Sequence, residues 1–437
     1  MKKRNVAILG AGGRDFHNFL IKYKDNPDFD VKFFTANQIP GIEKRSFPKK
    51  LAGRLYKKDI PIFPEKELPS LIKKYKIDDV VFSYSDLTHE EVMHKASISL
   101  ANDANFVLLG GEDTMIKSKK KVIAICAVRT GAGKSQTSRR VADILKKYNK
   151  KFIAVRHPMP YGDLSKEVVE KFEKYSDLDK YKATIEEREE YEPWLEKGMP
   201  IYAGVDYKKI LKEAEKNANL IIWDGGNNDL SFYKPDLLIT VVDPHRAGHE
   251  LKYHPGETNF RMADVIVINK MDTAPREGIK LLEENIKKYN PKAIVIKADS
   301  KLSVSENVSL KNKKVLIVED GPTLTHGGMK FGAGFVVAKR AGAKIISPKK
   351  YAVGSIKETY EKYEHVKDVL PAMGYGKKQI KELEMTINKA NVDFVIIATP
   401  VKLGKLIKIN KPIVTVSYAL KERGLTLDKV LKKKGFI

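Results

Sequence analysis

The residues best spaced for chemistry are Arg129-Thr130-Gly131-Ala132-Gly133-Lys134-Ser135-Gln136, which follow an apolar run at 122–128. Gly131 and Gly133 let the backbone curl so that successive N–H groups face one anion. A helix beginning here adds the positive end of its dipole. Lys134 then reaches the β- and γ-phosphates of a nucleotide, and the Ser135 hydroxyl is placed to ligate Mg²⁺. The first glycine of the usual G-x-x-x-x-G-K-[ST] pattern is Val128 here, but the two remaining glycines still free the turn. The stretch reads as a phosphate-binding P-loop.

A P-loop needs a carboxylate opposite it. Residues 220–224 form an apolar run that closes on Asp224, followed by Gly225-Gly226-Asn227-Asn228-Asp229. A carboxylate leaving a buried strand at this point sits near the metal of a nucleotide site. Asp224 is therefore expected to act with Lys134, and Ser135, Asp224 and Glu319 are the expected Mg²⁺ ligands. Farther on, Asn269-Lys270-Met271-Asp272 closes another apolar run. Asn-Lys-x-Asp reads guanine in GTPases, because its Asp accepts from groups that adenine lacks. Related ligases and kinases carry Asn-Lys here and use ATP. Asn269, Lys270 and Asp272 mark a base pocket in which ATP and GTP both stay open.

Several loops at expected strand ends carry cations. Arg156 and His157 leave the strand at 151–155 on a segment stiffened by prolines. His245, Arg246, His249 and His254 cluster in a second loop, read as contacting an anion or a substrate rather than a metal. A third loop, 319–329, combines Glu319, Asp320, two threonines and His326 with glycines. The run Glu186-Glu187-Arg188-Glu189-Glu190-Tyr191-Glu192 reads as a solvated helix face, with a second metal site as the alternative. Near the N-terminus, Gly10-Ala11-Gly12-Gly13-Arg14-Asp15 resembles a dinucleotide turn but lacks its third glycine. An ordinary α/β turn, or an anion site using Arg14 and His17, fits better.

These residues need a sheet to hold them. Strand signals alternate with helical ones throughout, which predicts an α/β fold: a P-loop NTPase domain with a mostly parallel sheet, preceded by a smaller Rossmann-like domain. The expected boundaries are 1–116 and 117–437. Residues 344–437 either extend the P-loop sheet or form an appended α/β lobe. With 437 residues, 42% hydrophobic, the chain can bury sizeable cores, and no run is long enough to span a membrane. The single cysteine, Cys126, excludes an intramolecular disulfide and fits a cytoplasmic protein. A net charge of +25 fits the Lys/Glu-rich surfaces of heat-adapted proteins. Without a basic, aromatic-interleaved stripe it does not point to nucleic acid.

Taken together, the P-loop, 223–229, 269–272 and 319–327 resemble the archaeal cyclic 2,3-diphosphoglycerate synthetases and a wider group of predicted GTPases. The resemblance implies a cytoplasmic, homodimeric, Mg²⁺-dependent ligase of compatible-solute biosynthesis in thermophiles. Such an enzyme spends ATP, with GTP possible, to close an anhydride between the two phosphates of 2,3-diphosphoglycerate. That polyanion calls for cations, expected to be Arg156, His157, Arg246, His249 and His326. Arg156 and His157 would join Lys134 and Asp224 in catalysis. The alternative is a GTP-hydrolysing regulatory or metallochaperone-type protein acting on a protein partner.

Overall fold

The computed structural model describes residues 3–36, 45–159, 162–306, 308–325, 327–374 and 376–437. The strand Lys121–Ala127 shows why the chain folds as it does. Ile123, Ile125 and Ala127 face one core with Val141, Ile144 and Leu145 of the helix Lys134–Lys147. Val122, Ala124 and Cys126 face the other, with Ile210, Leu211 and Ala214 of the helix Tyr207–Asn217. Both faces of the strand are apolar, so it must be covered by helices on both sides, as parallel strands are. Burying each such large side chain contributes about 1.5–3 kcal/mol. Cys126 is one of these buried groups, its thiol pushed up to about 12 by desolvation.

Two large sheets result. The first takes all its strands from residues 4–108, in the order Ser46–Phe47, Ile60–Pro64, Phe29–Ala36, Arg4–Leu9, Asp79–Phe82, Asn105–Leu108. Only its outermost pair, Ser46–Phe47 with Ile60–Pro64, is antiparallel. The second sheet has thirteen strands. One half centres on Lys121–Ala127, flanked by Leu220–Asp224 and Leu237–Val242. The other half centres on Lys314–Asp320, flanked by Phe394–Ala398 and, on the far side, by Lys344–Ile345 and Leu370–Ala372.

A long antiparallel pair joins the halves, Ile294–Val304 against Ile413–Arg423, in register from Lys297↔Arg423 to Val304↔Val416. The P-loop half attaches at Ile294–Lys297 through Val265–Ile268. The C-terminal half attaches at Ile413–Thr415 through Phe394–Ala398. Because the joining pair is antiparallel, the two halves run toward each other, and the carboxyl ends of both face its middle. The strand Ile294–Val304 was not expected, since its second half, Asp299-Ser300-Lys301-Leu302-Ser303, is too polar to read as core.

A two-stranded antiparallel ladder, Leu87–Thr88 with Tyr253–His254, ties the first sheet's loops to the P-loop half. Among the described residues no helix is long and apolar enough to cross a membrane.

Candidate active site

The carboxyl ends of strands from both sheets, among them Arg4–Leu9, Lys121–Ala127 and Lys314–Asp320, open onto one cavity of about 1080 Å³. Ligands of open α/β sheets bind at such ends. Gly12, Asp86, Lys134, Arg156, Asp320 and Tyr418 line it from six separate stretches of chain.

The P-loop forms one wall. Positive φ falls at Gly131 and Gly133, while Val128 continues the sheet with its N–H donating to the Val241 carbonyl. A Cβ at Gly133 would sit 1.9 Å from Asn269 Nδ2, so no other residue fits. Asn269 and Lys270 hold the loop from behind. Asn269 Nδ2 donates to the Ala132 carbonyl at 2.9 Å, and Lys270 Nζ donates to the Gly131 carbonyl at 2.6 Å. Lys270 is itself paired with Asp243 at 2.8 Å. Gln136 reaches Ser300 Oγ on the long joining strand at 3.3 Å. Asp272 is exposed and accepts the Ser300 N–H at 3.1 Å.

Lys134 is buried, and desolvation together with the nearby Arg156 lowers its pKa, opposed by Asp224 and Glu190. Asp224 has no exposed surface. It accepts from Ser138 Oγ at 2.6 Å, and its Oδ2, 3.4 Å from Arg156 Nη1, has no hydrogen-bond partner. Although burial pushes its pKa up, Arg156 and Lys134 outweigh that, so the carboxylate stays ionised. Arg156 also donates to the Gly225 carbonyl and pairs with Glu190 Oε1, both at 2.5 Å. Glu190 Oε2 in turn lies 3.3 Å from Ser135 Oγ.

Glu190 belongs to the helix Ile185–Leu195, which is not a solvated face. Glu186, Glu187, Glu189 and Glu192 are all buried. The helix is wedged between the two halves of the large sheet, and its carboxylates satisfy groups at their strand ends. Glu186 accepts the Gly374 N–H, Glu192 accepts the Lys402 N–H, and Thr399 Oγ1 donates to Glu189. Glu186 Oε2 has no partner and faces the cavity. From the other side come Glu319 and Asp320. Burial raises Asp320 to about 6, with Glu190 adding repulsion. Burial raises Glu319 to about 8, with Asp320 adding repulsion.

Glu319 was expected to ligate metal. It lines the cavity and accepts the Phe335 N–H at 2.8 Å at the start of the helix Ala333–Arg340. Among the described residues no cluster of three or more His, Cys, Asp and Glu has metal-site geometry. The donors that fit Mg²⁺ are Ser135 Oγ and the unpartnered, ionised oxygen of Asp224, both hard oxygen ligands.

The expected substrate cations divide. Arg156 and His157 line the cavity. His157 is held by Asp229, 2.9 Å from its Nε2, and burial lowers its pKa. Arg246 and His249 are not among the lining residues. Arg246 is consumed by Asp243 and by the Gly327 carbonyl, at 3.1 and 2.9 Å. His249 stacks on Tyr253, and desolvation lowers its pKa to about 4. These two side chains fasten loops together. His326 lies outside the described residues.

The expected anion site at Arg14 and His17 is also a fastening. Arg14 Nε pairs with Asp229 at 2.6 Å, and His17 Nε2 meets the Thr114 carbonyl at 2.6 Å while stacking on Phe232. Sequence reading passed over Asp86, which pairs with Arg129. Its signal was a carboxylate just beyond the strand Asp79–Phe82.

The chain is similar to several known proteins. The model of the CobW/HypB/UreG nucleotide-binding domain matches residues 213–297, which hold Asp224 and the segment 269–272. A relative from Thermococcus kodakarensis, the arginine synthetase ArcE, is 61% identical over 424 residues, covering 97% of this chain and 95% of that one. Among solved structures, LpxK from Aquifex aeolicus in complex with ATP is 14% identical, with a TM-score of 0.44 over 79% of this chain and 94% of that one. The hydrogenase maturation factor HypB from Archaeoglobus fulgidus is 18% identical, with a TM-score of 0.28 over 48% of this chain and 89% of that one. The chain is a P-loop nucleotide-binding protein of α/β fold.

Proposed function

Because the chain belongs to the family of the arginine synthetase ArcE, we propose that it is a nucleotide-dependent synthetase that builds a guanidinium group. A P-loop delivers the γ-phosphoryl group to an oxygen. For arginine, that oxygen is the ureido oxygen of the matching ureido amino acid, L-citrulline. The oxygen attacks phosphorus and ADP leaves. A nitrogen nucleophile then adds to the activated carbon, and inorganic phosphate departs carrying the ureido oxygen.

The observation that supports this reading is the acidic wall. Glu186, Glu190 and Asp320 line the cavity together with Lys134. Carboxylates suit a nitrogenous, cationic product. A substrate with up to five negative charges would lack Arg246 and His249, which are engaged elsewhere.

In this reading Lys134 and the loop amides hold the transferred phosphoryl group, and Arg129, Thr130, Gly131, Ala132, Gly133, Ser135 and Gln136 complete its cradle. Ser135 and Asp224 would hold Mg²⁺, which would neutralise phosphate charge. Arg156 fixes Asp224 and Glu190 in place. His157, held by Asp229, faces the acceptor. Asn269 and Lys270 brace the loop, and Asp272 stands at the base pocket, with ATP the proposed nucleotide and GTP its rival. The sites at 1–116 and 117–437 act as one enzyme, proposed to be a cytoplasmic homodimer.

Closure of an anhydride in 2,3-diphosphoglycerate is the second reading, favoured by the motif resemblance of 319–327. Both begin with an oxygen attacking the γ-phosphate. The test is phosphorus NMR of the protein with Mg²⁺ and ATP or GTP, offered either ¹⁸O-ureido citrulline with ammonium or 2,3-diphosphoglycerate. An isotope-shifted phosphate signal, growing with ADP, supports guanidinium synthesis. Cyclic anhydride resonances instead would replace it with the second reading. Hydrolysis indifferent to either substrate would leave a GTPase-type protein acting on a partner.

A further inference from the structure

We propose that the ion pair between Asp86 and Arg129 is the docking point for the α-ammonium and α-carboxylate groups of an amino-acid substrate. The proposal rests on the arginine reading above.

The pair joins the first sheet to the P-loop. Arg129 Nε lies 3.0 Å from Asp86 Oδ1, with the side chains only 6% and 5% exposed, and both residues line the cavity. Despite that closeness, the atoms do not satisfy one another. Arg129 Nε, Arg129 Nη1 and Asp86 Oδ1 have no hydrogen-bond partner. Buried charged groups left in this state are costly and ask for a partner.

The neighbouring Arg14–Asp229 pair is the internal contrast. Arg14 donates from Nε to Asp229 Oδ1 and from Nη2 to the Leu230 carbonyl, both at 2.6 Å, and Asp229 also engages His157 and its own neighbour's N–H. None of that pair's side-chain atoms is a buried group without a partner. The Asp86–Arg129 pair does not share this.

The framework around the incomplete pair is rigid. The Arg129 guanidinium lies 3.6 Å above the Tyr253 ring, and Arg129 Nη2 is directed to the Gly327 carbonyl at 3.4 Å. Asp86 is held at a φ of 70°, with its N–H donating to the His254 carbonyl at 3.0 Å. A non-glycine residue kept in the left-handed region by flanking ladder bonds is a form of strain that gathers at binding sites. Asp86 Oδ2 also meets the Thr130 N–H at 3.4 Å, so the pair sits directly on the P-loop.

A zwitterion fits this arrangement charge for charge. Its carboxylate would take the open edge of Arg129, and its ammonium would take Asp86 Oδ1. The two protein charges are already out of water, so binding exchanges one poorly bonded pair for two well-bonded ones. Anchored there, the substrate's distal end would lie in the same cavity as Lys134 and the acidic wall. The first sheet would thereby supply half of the amino-acid site.

Calorimetry with L-arginine, agmatine (no carboxylate) and 5-guanidinopentanoate (no α-amino group) tests this on the unmodified protein and on Asp86→Asn, with thermal unfolding checking that the variant is folded. L-arginine should bind about thirtyfold or more tightly than either analogue. Asp86→Asn should erase most of the preference for L-arginine over 5-guanidinopentanoate while leaving that analogue's own affinity little changed. Equal affinity for all three ligands, or a preference untouched in Asp86→Asn, would overturn the assignment while keeping the arginine reading. Failure of every guanidinium ligand to bind the unmodified protein would overturn both.

Discussion

Arg156 Nη2 lies 2.5 Å from Glu190 Oε1, and the same guanidinium reaches Asp224 at 3.4 Å. One cation thus ties the acidic helix to the carboxylate that faces the P-loop. Without it, buried Asp224 and half-buried Glu190 would confront each other beside Lys134. The site is held together as much by this cation as by the glycine turn.

Replacing Arg156 by Met should therefore cost stability before it costs binding. Leaving fully buried Asp224 unpaired is expected to lower unfolding free energy by about 3 kcal/mol. Urea denaturation measures this, and Glu190→Gln, whose side chain is partly exposed, should cost far less. Equal losses for the two variants would contradict the central placing of Arg156.

Lys134→Ala should leave the fold intact and reduce kcat at least about a hundredfold, roughly 2.7 kcal/mol of barrier. Steady-state rates alongside a thermal melt decide the matter. Turnover within tenfold of the parent would remove the P-loop assignment.

Glu319 sets a pH dependence of definite sign. Its folded value, about 8, lies above its ordinary 4.5. The folded protein therefore holds an extra proton between those limits. The stabilising contribution is full below about 4.5 and is lost as pH rises through about 8. Glu319→Gln keeps the neutral shape at every pH, so it should gain on the parent as pH rises across that interval. Urea midpoints at mildly acidic and mildly alkaline pH give the comparison, and parallel curves would count against a protonated Glu319.

Asp272 accepts the Ser300 N–H and is exposed, so it is braced by its own chain rather than aimed by a rigid pocket. Asp272→Asn is expected to leave ATP-dependent turnover within about threefold, well under 1 kcal/mol. A collapse of GTP-dependent turnover alongside intact ATP use would show that the residue reads guanine. A large loss with ATP would contradict this reading of the base pocket.

Much of the nucleotide half was legible because its signals are local. Strand, glycine turn, Lys134-Ser135 and helix fall within residues 121–147, and each element is dictated by residues inside it. Asp224 and Asn269-Lys270 were legible for the same reason, as polar residues closing apolar runs. What those residues do is less local: Asn269 and Lys270 brace the loop's carbonyls, which only their approach to Ala132 and Gly131 reveals.

The sequence by itself determined the alternation of strands and helices, the P-loop and the carboxylate opposite it. Tertiary structure alone decided where the charges went. The run 186–192 has the composition of a solvated face, yet it is mostly buried, its carboxylates accepting from strand-end N–H groups 188 and 210 positions away. Arg246 and His249 read as free cations until Asp243 and Tyr253 claim them. Asp86 meets Thr130 across 44 positions, and Glu190 meets Ser135 across 55. A buried charge is governed by its partner, and a partner brought in by chain topology leaves no mark on the residues beside it in sequence.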